Sequence, residues 1–514
     1  MATWTERIIN WFRGTKAEPV KRQYAAAKLM RANRSWTSSP QGANWILRND
    51  LASLRARARD MAKNSPHFRK FLQMAKANII GHKGIQLQCD VVFSTNGRPH
   101  TELNSRIETA FWEWGKRETC TESGRLSWVT AQHLAVEMLI RDGEILVEHI
   151  LNADNDFGYS IRFWNVDWLD ETHNELLRNG HRVIMGVELD AKDRPVAYWL
   201  TEPPSENFYG YDSQRRRYRR RVPADQMSHY FLVTEDECQA RGVTWFHAAL
   251  LQGKELHEYA GGVVQSARVA SHVFGFIEDQ LADGEEYTGG EDVDGNERDL
   301  SIDVRSLQVN LLNPGQKFSQ FDPKQPTQNH SEFMTSMLHV LAAGLGINGF
   351  SLAGDMSEVN FSSARVGLGE ERNVWRVLQD FISDTFCRDI FRHWLMEAWL
   401  KGRIEMDAKY HAQMMEPTWR PRGWSYIEPQ KDIKAALDAI AGNLLTYGEH
   451  FADRGIDLEE WLQTKKKEKA LFAQYKIEYE PQKPKMAAPA PPVEDEEEPQ
   501  PAKERSYSNG HYAN

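Results

Sequence analysis

The sequence predicts an α+β chain, and two observations carry that expectation. Between Gly84 and about Val243, apolar residues alternate in short runs separated by turn-forming residues, the pattern of antiparallel strand pairs. From about Thr244 onward they recur instead at helical spacing over long stretches. A strand-rich block followed by helices segregates the two structures along the chain, as α+β folds do. The 514 residues are 41% apolar and 26% charged, enough to bury cores in several units of ~100–200 residues each.

In chain order, Trp4, Ile8, Trp11 and Phe12 form the stripe of a short amphipathic helix. Residues 44–80 read as two helices broken at Pro66. The strand-like runs are Ile85–Gln88, Glu144–Ile150, Ser160–Phe163, Val183–Leu189 and Val196–Leu200, punctuated by Asp142-Gly143, Asn179-Gly180 and Asp193-Arg194-Pro195. Helical texture intrudes at about Leu103–Lys116 and Trp128–Ile140. A long helix is expected from Thr244, its N-cap, to His272, weakened at Gly261-Gly262. An acidic, glycine-rich stretch, 278–303, precedes a strand-like Leu307–Leu312 and the turn Asn313–Pro326. A second helix, Ser331–Leu345, leads to a Gly/Ser-rich loop over 346–363, to which Gly344, Gly346, Gly349 and Gly354 are expected to lend freedom. A third long helix, Ser362–Lys401, carries many Trp and Phe residues, a helical pair covers Pro429–Lys476, and a disordered tail follows from Pro481.

Charge is spread unevenly. The net value is −10, yet residues 1–80 hold 16 Lys and Arg against four acids, +12, which leaves −22 on the remainder. Eleven carboxylates and one base put −10 on residues 278–303, and Glu494–Glu498 is a second acidic block. The sharpest basic run is Arg215, Arg216, Arg217, Tyr218, Arg219, Arg220 and Arg221, read as a loop between strands that suits either nucleic acid or an inter-subunit or scaffold contact.

The residue patterns of common catalytic sites are missing. There is no Walker-type Gly-x-x-x-x-Gly-Lys-Ser/Thr, no Gly-x-Ser-x-Gly and no Cys-x-x-Cys. His257-Glu258 opens a zincin-like pattern, but Gly261 stands where the second histidine belongs. Asp292–Asn296 resembles a calcium loop with its glycine two places early and Asp303 in place of the closing Glu. The sequence therefore predicts no enzyme, no metal and no cofactor. Cys89, Cys120, Cys238 and Cys387 lack pairing motifs, and apolar runs are too short for a membrane span or a signal h-region, so a reducing cytosolic setting is expected.

Several stretches, in order, resemble the lambda-type family of bacteriophage portal proteins. They are Arg22–Ala27 with Trp36; Asp50-Leu51, Leu54–Asp60 and Asn64; Ile79–Gly84; Val222–His229 with Gln239–Val243; Leu341–Gly346 with Phe361–Arg365; and Glu428–Gln430 with Thr446–Asp457. Together they span about 20–475, leaving the stretch Gly284–Asp299 unaligned.

The resemblance implies a portal fold: a mixed α+β wing, a helical stem, a small α/β clip and a helical crown, assembled as a ring of about twelve copies. On this chain the wing and N-terminal arm would be 1–243, the stem helices 244–272 and 327–346, and the clip 273–326. The channel loop would be 347–363, the wing return 364–428 and the crown 429–480, with a disordered tail over 481–514. The implied function is a channel at a capsid vertex through which double-stranded DNA is packaged and later exits. The implied partners are the terminase large subunit, major capsid and scaffold proteins, and head-completion or tail connector proteins, with no membrane. Asp355, Ser357, Glu358 and Asn360 are the channel-loop candidates, and Glu285, Glu286, Glu291 and Asp292 the terminase-docking candidates. The competing readings are a minor capsid or head-to-tail connector protein without its own channel and, more remotely, a metal-dependent DNA-processing enzyme using the 278–303 carboxylates.

Overall fold

The computed structural model describes residues 42–93, 98–201, 219–271, 275–279, 316–320, 330–357 and 359–475. The amphipathic stretch Trp4–Phe12, the strand-like Leu307–Leu312 and the tail from Pro481 lie outside them. The chain divides into two compact units, 1–434 and 435–514.

Unit 1 opens with α1 (Ala43–Asn64) and α2 (Pro66–Ile79). Pro66 sits at the first position of α2, where its missing N–H costs nothing and the preceding residue is forced out of the helix. After β1 (Gln86–Gln88) come α3 (Thr101–Trp114), α4 (Arg117–Cys120) and α5 (Trp128–Asp142). Helix α5 is capped by Ser127, whose hydroxyl accepts the Thr130 N–H, and stops at Gly143 in the left-handed region at φ 87°.

Two antiparallel sheets follow. The first runs β3-β2-β9, from β2 (Glu144–Leu151), β3 (Tyr159–Trp164) and β9 (Met227–Phe231). The second runs in simple order through β4 (Glu175–Leu176), β5 (Arg182–Ile184), β6 (Val187–Leu189), β7 (Pro195–Thr201) and β8 (Arg219–Pro223). The expected single strand Val183–Leu189 is instead the hairpin β5–β6, folded about Met185 and Gly186 at φ 46° and 85°. A methionine seldom adopts that backbone, so the local sequence does not announce the turn.

Helix α6 (Leu250–Ser271) begins six residues later than expected. Thr244 heads a tight turn rather than capping the helix: its hydroxyl accepts the Phe246 N–H and donates to the Ile140 carbonyl. Strands β10 (Gly275–Asp279) and β11 (Gln316–Gln320) pair antiparallel, Gly275 opposite Gln320 and Asp279 opposite Gln316. The last residue of β10, Asp279, therefore stands beside the first of β11, Gln316. Next come α7 (His330–Leu345), the short α8 (Gly349–Ala353) and α9 (Phe361–Ile382). The helix then widens into one π-helical turn at Ser383–Cys387 before α10 (Arg388–Leu400). The short α11 (His411–Met414) and β12 (Thr418–Arg420), which pairs with β1, complete unit 1 up to α12 (Pro429–Ala441).

The core of unit 1 is aromatic. Phe111 of α3 makes edge contacts with Trp128, Phe391 and Trp394, while Trp128 stacks on Phe386 at 5.4 Å. Phe386 lies in the π turn, whose extra residue carries that ring onto α5. The fully buried Trp114 donates its indole N–H to the Tyr159 carbonyl at 2.9 Å, locking α3 to the sheet. The Trp- and Phe-rich sequence of 362–401 is thus mostly core.

Unit 2 contains α13 (Tyr447–Ala452) and α14 (Leu458–Gln474), so two further helices follow α12 where a pair was expected over the whole region. Thr446 and Glu449 form a reciprocal capping box, Asp457 caps α14, and Phe451 packs on Trp461 at 5.0 Å. No helix among the described residues is long and apolar enough to cross a membrane.

Candidate functional site

Two of the distinctive sequence stretches, 54–60 and 239–243, converge on one carboxylate. Glu144, the first residue of β2, is fully buried. Its Oε1 accepts from Arg241 Nε at 2.6 Å and from the Gly242 N–H at 2.7 Å, and its Oε2 accepts from Arg241 Nη2 at 2.8 Å. His229 Nε2 lies 3.3 Å away and Arg55 Nη1 3.4 Å away. Burial pushes the Glu144 carboxyl upward, but Arg241 and His229 outweigh it, so the group is held far below the usual carboxylate range. Arg55 also meets Asp167 and Glu171, and Arg59 bonds Asp142 at 2.7 Å. Two arginines of the +12 N-terminal region are therefore engaged inside the fold rather than offered to an acidic partner.

Arg241 also explains the β5–β6 turn. Its Nη1 donates to the Met185 carbonyl at 2.9 Å, while the Gly186 N–H donates to His173 O at 3.0 Å. A side chain at Gly186 would come within 2.9 Å of the Asp170 backbone. The strained Met185 is held by a long-range bond.

The distinctive 361–365 and 428–430 stretches also meet. Arg365 pairs with Glu428 at 3.2 Å and with Asp432 at 2.5 Å, tying the start of α9 to the start of α12.

The described residues of the 346–360 segment are more ordered than their composition suggested. Gly346 and Gly354 end α7 and α8 in the left-handed region, at φ 78° and 76°. Gly344 and Gly349 permit close approach instead, with Ala249 Cβ and His339 Cδ2 lying 3.3 and 2.7 Å from where a Cβ would stand. None of the four serves as a free hinge, which corrects the expectation of a loosely jointed loop. Leu352 is buried, pinning α8. Among the channel-loop candidates, Asn360 caps α9 by accepting the Ser363 N–H at 2.8 Å, and Asp355 accepts the Ser357 N–H at 2.9 Å. Glu358 lies outside the described residues.

The basic run is also redistributed. Arg219–Arg221 form strand β8 rather than a loop, and each finds an acid: Asp170 at 2.6 Å, Glu148 at 2.6 Å and Glu188 at 2.7 Å. Pairing with Arg221 draws the Glu188 carboxyl down to about 2. Extended backbone sends successive side chains to opposite faces, and acids wait on both. Arg215, Arg216 and Arg217 lie outside the described residues, as do Glu285, Glu286, Glu291 and Asp292.

Sequence reasoning missed one cluster, His149, Asp389 and His393, because its members lie on β2 and α10, far apart in the chain. The two imidazoles stack with centres 3.9 Å apart and planes 11° apart. His149 Nδ1 meets Tyr159 Oη at 2.7 Å and its Nε2 meets Ser228 Oγ at 2.9 Å, while Ser228 and Tyr230 donate to Asp389. A metal lies in the plane of the imidazole that binds it, so two parallel rings do not share one ion. The cluster works as a hydrogen-bonded clamp between α10 and the β3-β2-β9 sheet. Burial and the neighbouring His393 lower His149 to about 3. His393 is also penalised by burial, but Asp389 more than compensates and raises it; burial likewise pushes Asp389 up, but His393, Ser228 and Tyr230 together outweigh it and hold it low.

The raised His393 makes a stabilising contribution that is complete below its unfolded value of about 6.5 and fades as pH rises through the folded value. The depressed Asp389 contributes above about 3.9 and is lost as pH falls through its folded value. We expect the melting temperature of wild type to exceed that of His393→Gln most between about pH 4 and 6.5, with the gap narrowing at higher pH. A gap independent of pH would refute the clamp.

The family model for "phage portal protein, lambda family" matches residues 30–379. The chain belongs to this family of phage portal proteins. It is 32% identical over 429 residues to the probable portal protein of Halomonas phage phiHAP-1, covering 83% of this chain and 82% of the relative. Portal protein B of Escherichia phage lambda is 21% identical over 467 residues, covering 83% and 85% of the two chains. A solved chain from the neck of an empty GTA particle aligns over 82% of this chain and 95% of its own length, with 14% identity and a TM-score of 0.45. As a phage portal protein, the chain is a component of the phage particle with a structural part in it. The convergence on Glu144 shows that the portal-like stretches at 54–60 and 239–243 are packing determinants of unit 1.

Proposed function

We propose that about twelve copies close into a ring at one capsid vertex and enclose a channel for double-stranded DNA. The observation that carries this reading is the family match across 30–379. In it, 1–243 form the arm and wing, α6 and α7 the stem, 273–326 the clip, 347–363 the channel loop, 364–428 the wing return and 429–480 the crown. The protein has no catalytic part: a terminase large subunit docks at the clip and drives packaging, and head-completion or tail connector proteins follow. Capsid and scaffold proteins contact the wing during assembly in the host cytoplasm, and no membrane is involved. The charge supports passage rather than capture. At −10 per chain, a ring of about twelve copies is strongly anionic and repels the duplex phosphates, where a basic lumen would release counterions and grip.

The test is native mass spectrometry with negative-stain imaging of the purified protein. A particle near 0.7 MDa, about twelve chains of 59.2 kDa, with a central hole is expected. Monomers or dimers only, under conditions that support packaging, would overturn the ring.

The ordered 346–360 segment dictates how its channel role is probed. Deleting Ser351–Asn360 would remove buried Leu352 and the α9 cap, confusing folding with function. Asp355→Lys with Ser357→Lys and Glu358→Lys leaves both in place and sets three cations where DNA would slide. Packaging velocity in single-particle assays should fall several-fold, more at low salt. An unchanged velocity would exclude the segment from the channel.

A further inference from the structure

Several exposed arginines are answered by this chain's own acids: Arg365 by Glu428 and Asp432, Arg388 and Arg392 by Glu416. Others are not, and among these Arg372, Arg376 and Arg422 are gathered in one place. Arg372 and Arg376 stand one turn apart on α9, and Arg422 follows β12. Their guanidinium carbons lie 5.7, 5.6 and 5.9 Å from the centre of the Trp424 indole. Among the described residues none of the three has a carboxylate within ion-pairing distance.

The arrangement is built rather than accidental. The Trp424 indole N–H donates to Asn78 Oδ1 at 3.0 Å, which sets the ring. Arg422 Nη1 donates to the Ala77 carbonyl at 2.6 Å and Arg376 Nη1 to Asn373 Oδ1 at 3.3 Å, so neutral acceptors orient charged donors. The acids whose fields reach Arg372 are bonded elsewhere, Asp432 to Arg365 and Glu371 to Asn348 and Trp375. Partial burial first, then Arg376 and Arg422, lower the Arg372 pKa, as expected of a cation beside like charges, and Asp380, one turn beyond Arg376, feels that arginine without pairing with it.

We infer that Arg372, Arg376 and Arg422, gathered around Trp424, form a contact site for the phosphodiester backbone of DNA. A lone carboxylate would cancel only one of the three charges gathered at this ring. A polyanion with regularly spaced tetrahedral charges answers all three, and the planar guanidinium fork suits phosphate oxygens. The site is local, on a chain whose overall charge of −10 disfavours tight holding. The inference rests on the reading that the protein handles DNA, and names one surface that does so.

The test uses the full assembled protein, a fluorescent duplex of mixed sequence and anisotropy titrations over a range of salt. Arg372→Gln with Arg376→Gln should weaken binding about tenfold at low salt and flatten the log–log salt dependence by about 0.9 for each phosphate no longer neutralised. Arg372→Lys with Arg376→Lys should keep most of the slope. Arg392→Gln, which removes an arginine whose partner Glu416 keeps Arg388, should leave both unchanged. An affinity and slope equal to wild type in the double Gln variant would overturn the proposal. A second measurement on unaltered protein guards against misfolding: photocross-linking with bromodeoxyuridine-substituted duplex should label the peptide containing Trp424. Cross-links elsewhere, with none in that peptide, would overturn it. So would displacement of the DNA from this peptide by polyglutamate at equal charge concentration, which would assign the site to an acidic protein. Ring formation and genome yield report separately on the portal reading, so intact packaging with no DNA contact at Trp424 would sink this inference alone.

Discussion

Arg241→Leu should destabilise unit 1 by about 3–5 kcal/mol in urea unfolding, because it strands a buried carboxylate. Glu144 would keep the Gly242 N–H and the more distant His229 and Arg55, but lose the two bonds from the Arg241 guanidinium. The Met185 carbonyl would lose its partner as well, freeing a turn whose backbone is unfavourable for methionine. The change also has a pH signature. In wild type Glu144 is held ionised, so its contribution stands at neutral pH and disappears only as pH falls through its depressed value. In the variant, burial dominates and raises the carboxyl above its unfolded value, so stability recovers on acidification. The deficit should be smaller near pH 4 than near pH 7.5. Arg241→Lys keeps a charge without the fork and should lie between the two. A loss below about 1 kcal/mol would show that the node is not a keystone of unit 1.

Reversing Glu285, Glu286, Glu291 and Asp292 to lysine should abolish packaging while rings still assemble. These residues lie between β10 and β11 in the sequence, and the substitutions bring the charge of 278–303 from −10 to −2. Placing like charges against a surface shaped to meet acids costs several kcal/mol, and each 1.4 kcal/mol is tenfold, so terminase docking should weaken by about a hundredfold or more. DNase-protected genomes per procapsid measure the effect, with ring counts from negative stain as the control. A wild-type yield would remove the docking surface from this segment.

What was legible in the sequence follows physical locality. Helices α1, α2, α3, α5 and α9 were readable because apolar spacing and Pro66 act within one or two turns of the chain. Strands β2 and β3 of the first sheet were readable because their apolar runs and turn residues are likewise local, whereas β9 was not. Four features were not, each set by a distant partner. Val183–Leu189 is folded in half by Arg241 and by the close approach of Asp170. Thr244 commits its hydroxyl to Ile140 instead of a helix end. The arginines of β8 look like a free basic run until Asp170, Glu148 and Glu188 are placed beside them. The glycines at 344 and 349, which suggest flexibility, are what close packing against Ala249 and His339 requires.

The same division applies to the opening fold class. The sequence by itself determined an α+β chain, a portal-like order of stretches and an uneven charge. Periodicity, turn residues and composition are properties of the chain before it folds. Only the tertiary structure decided which charges remain available. Arg55, Arg59, Arg219, Arg220, Arg221 and Arg241 are consumed by acids that the fold brings to them, whereas Arg372, Arg376 and Arg422 are left facing one indole. Pairing requires atoms within a few ångströms, and that proximity is created by packing between segments tens to hundreds of residues apart.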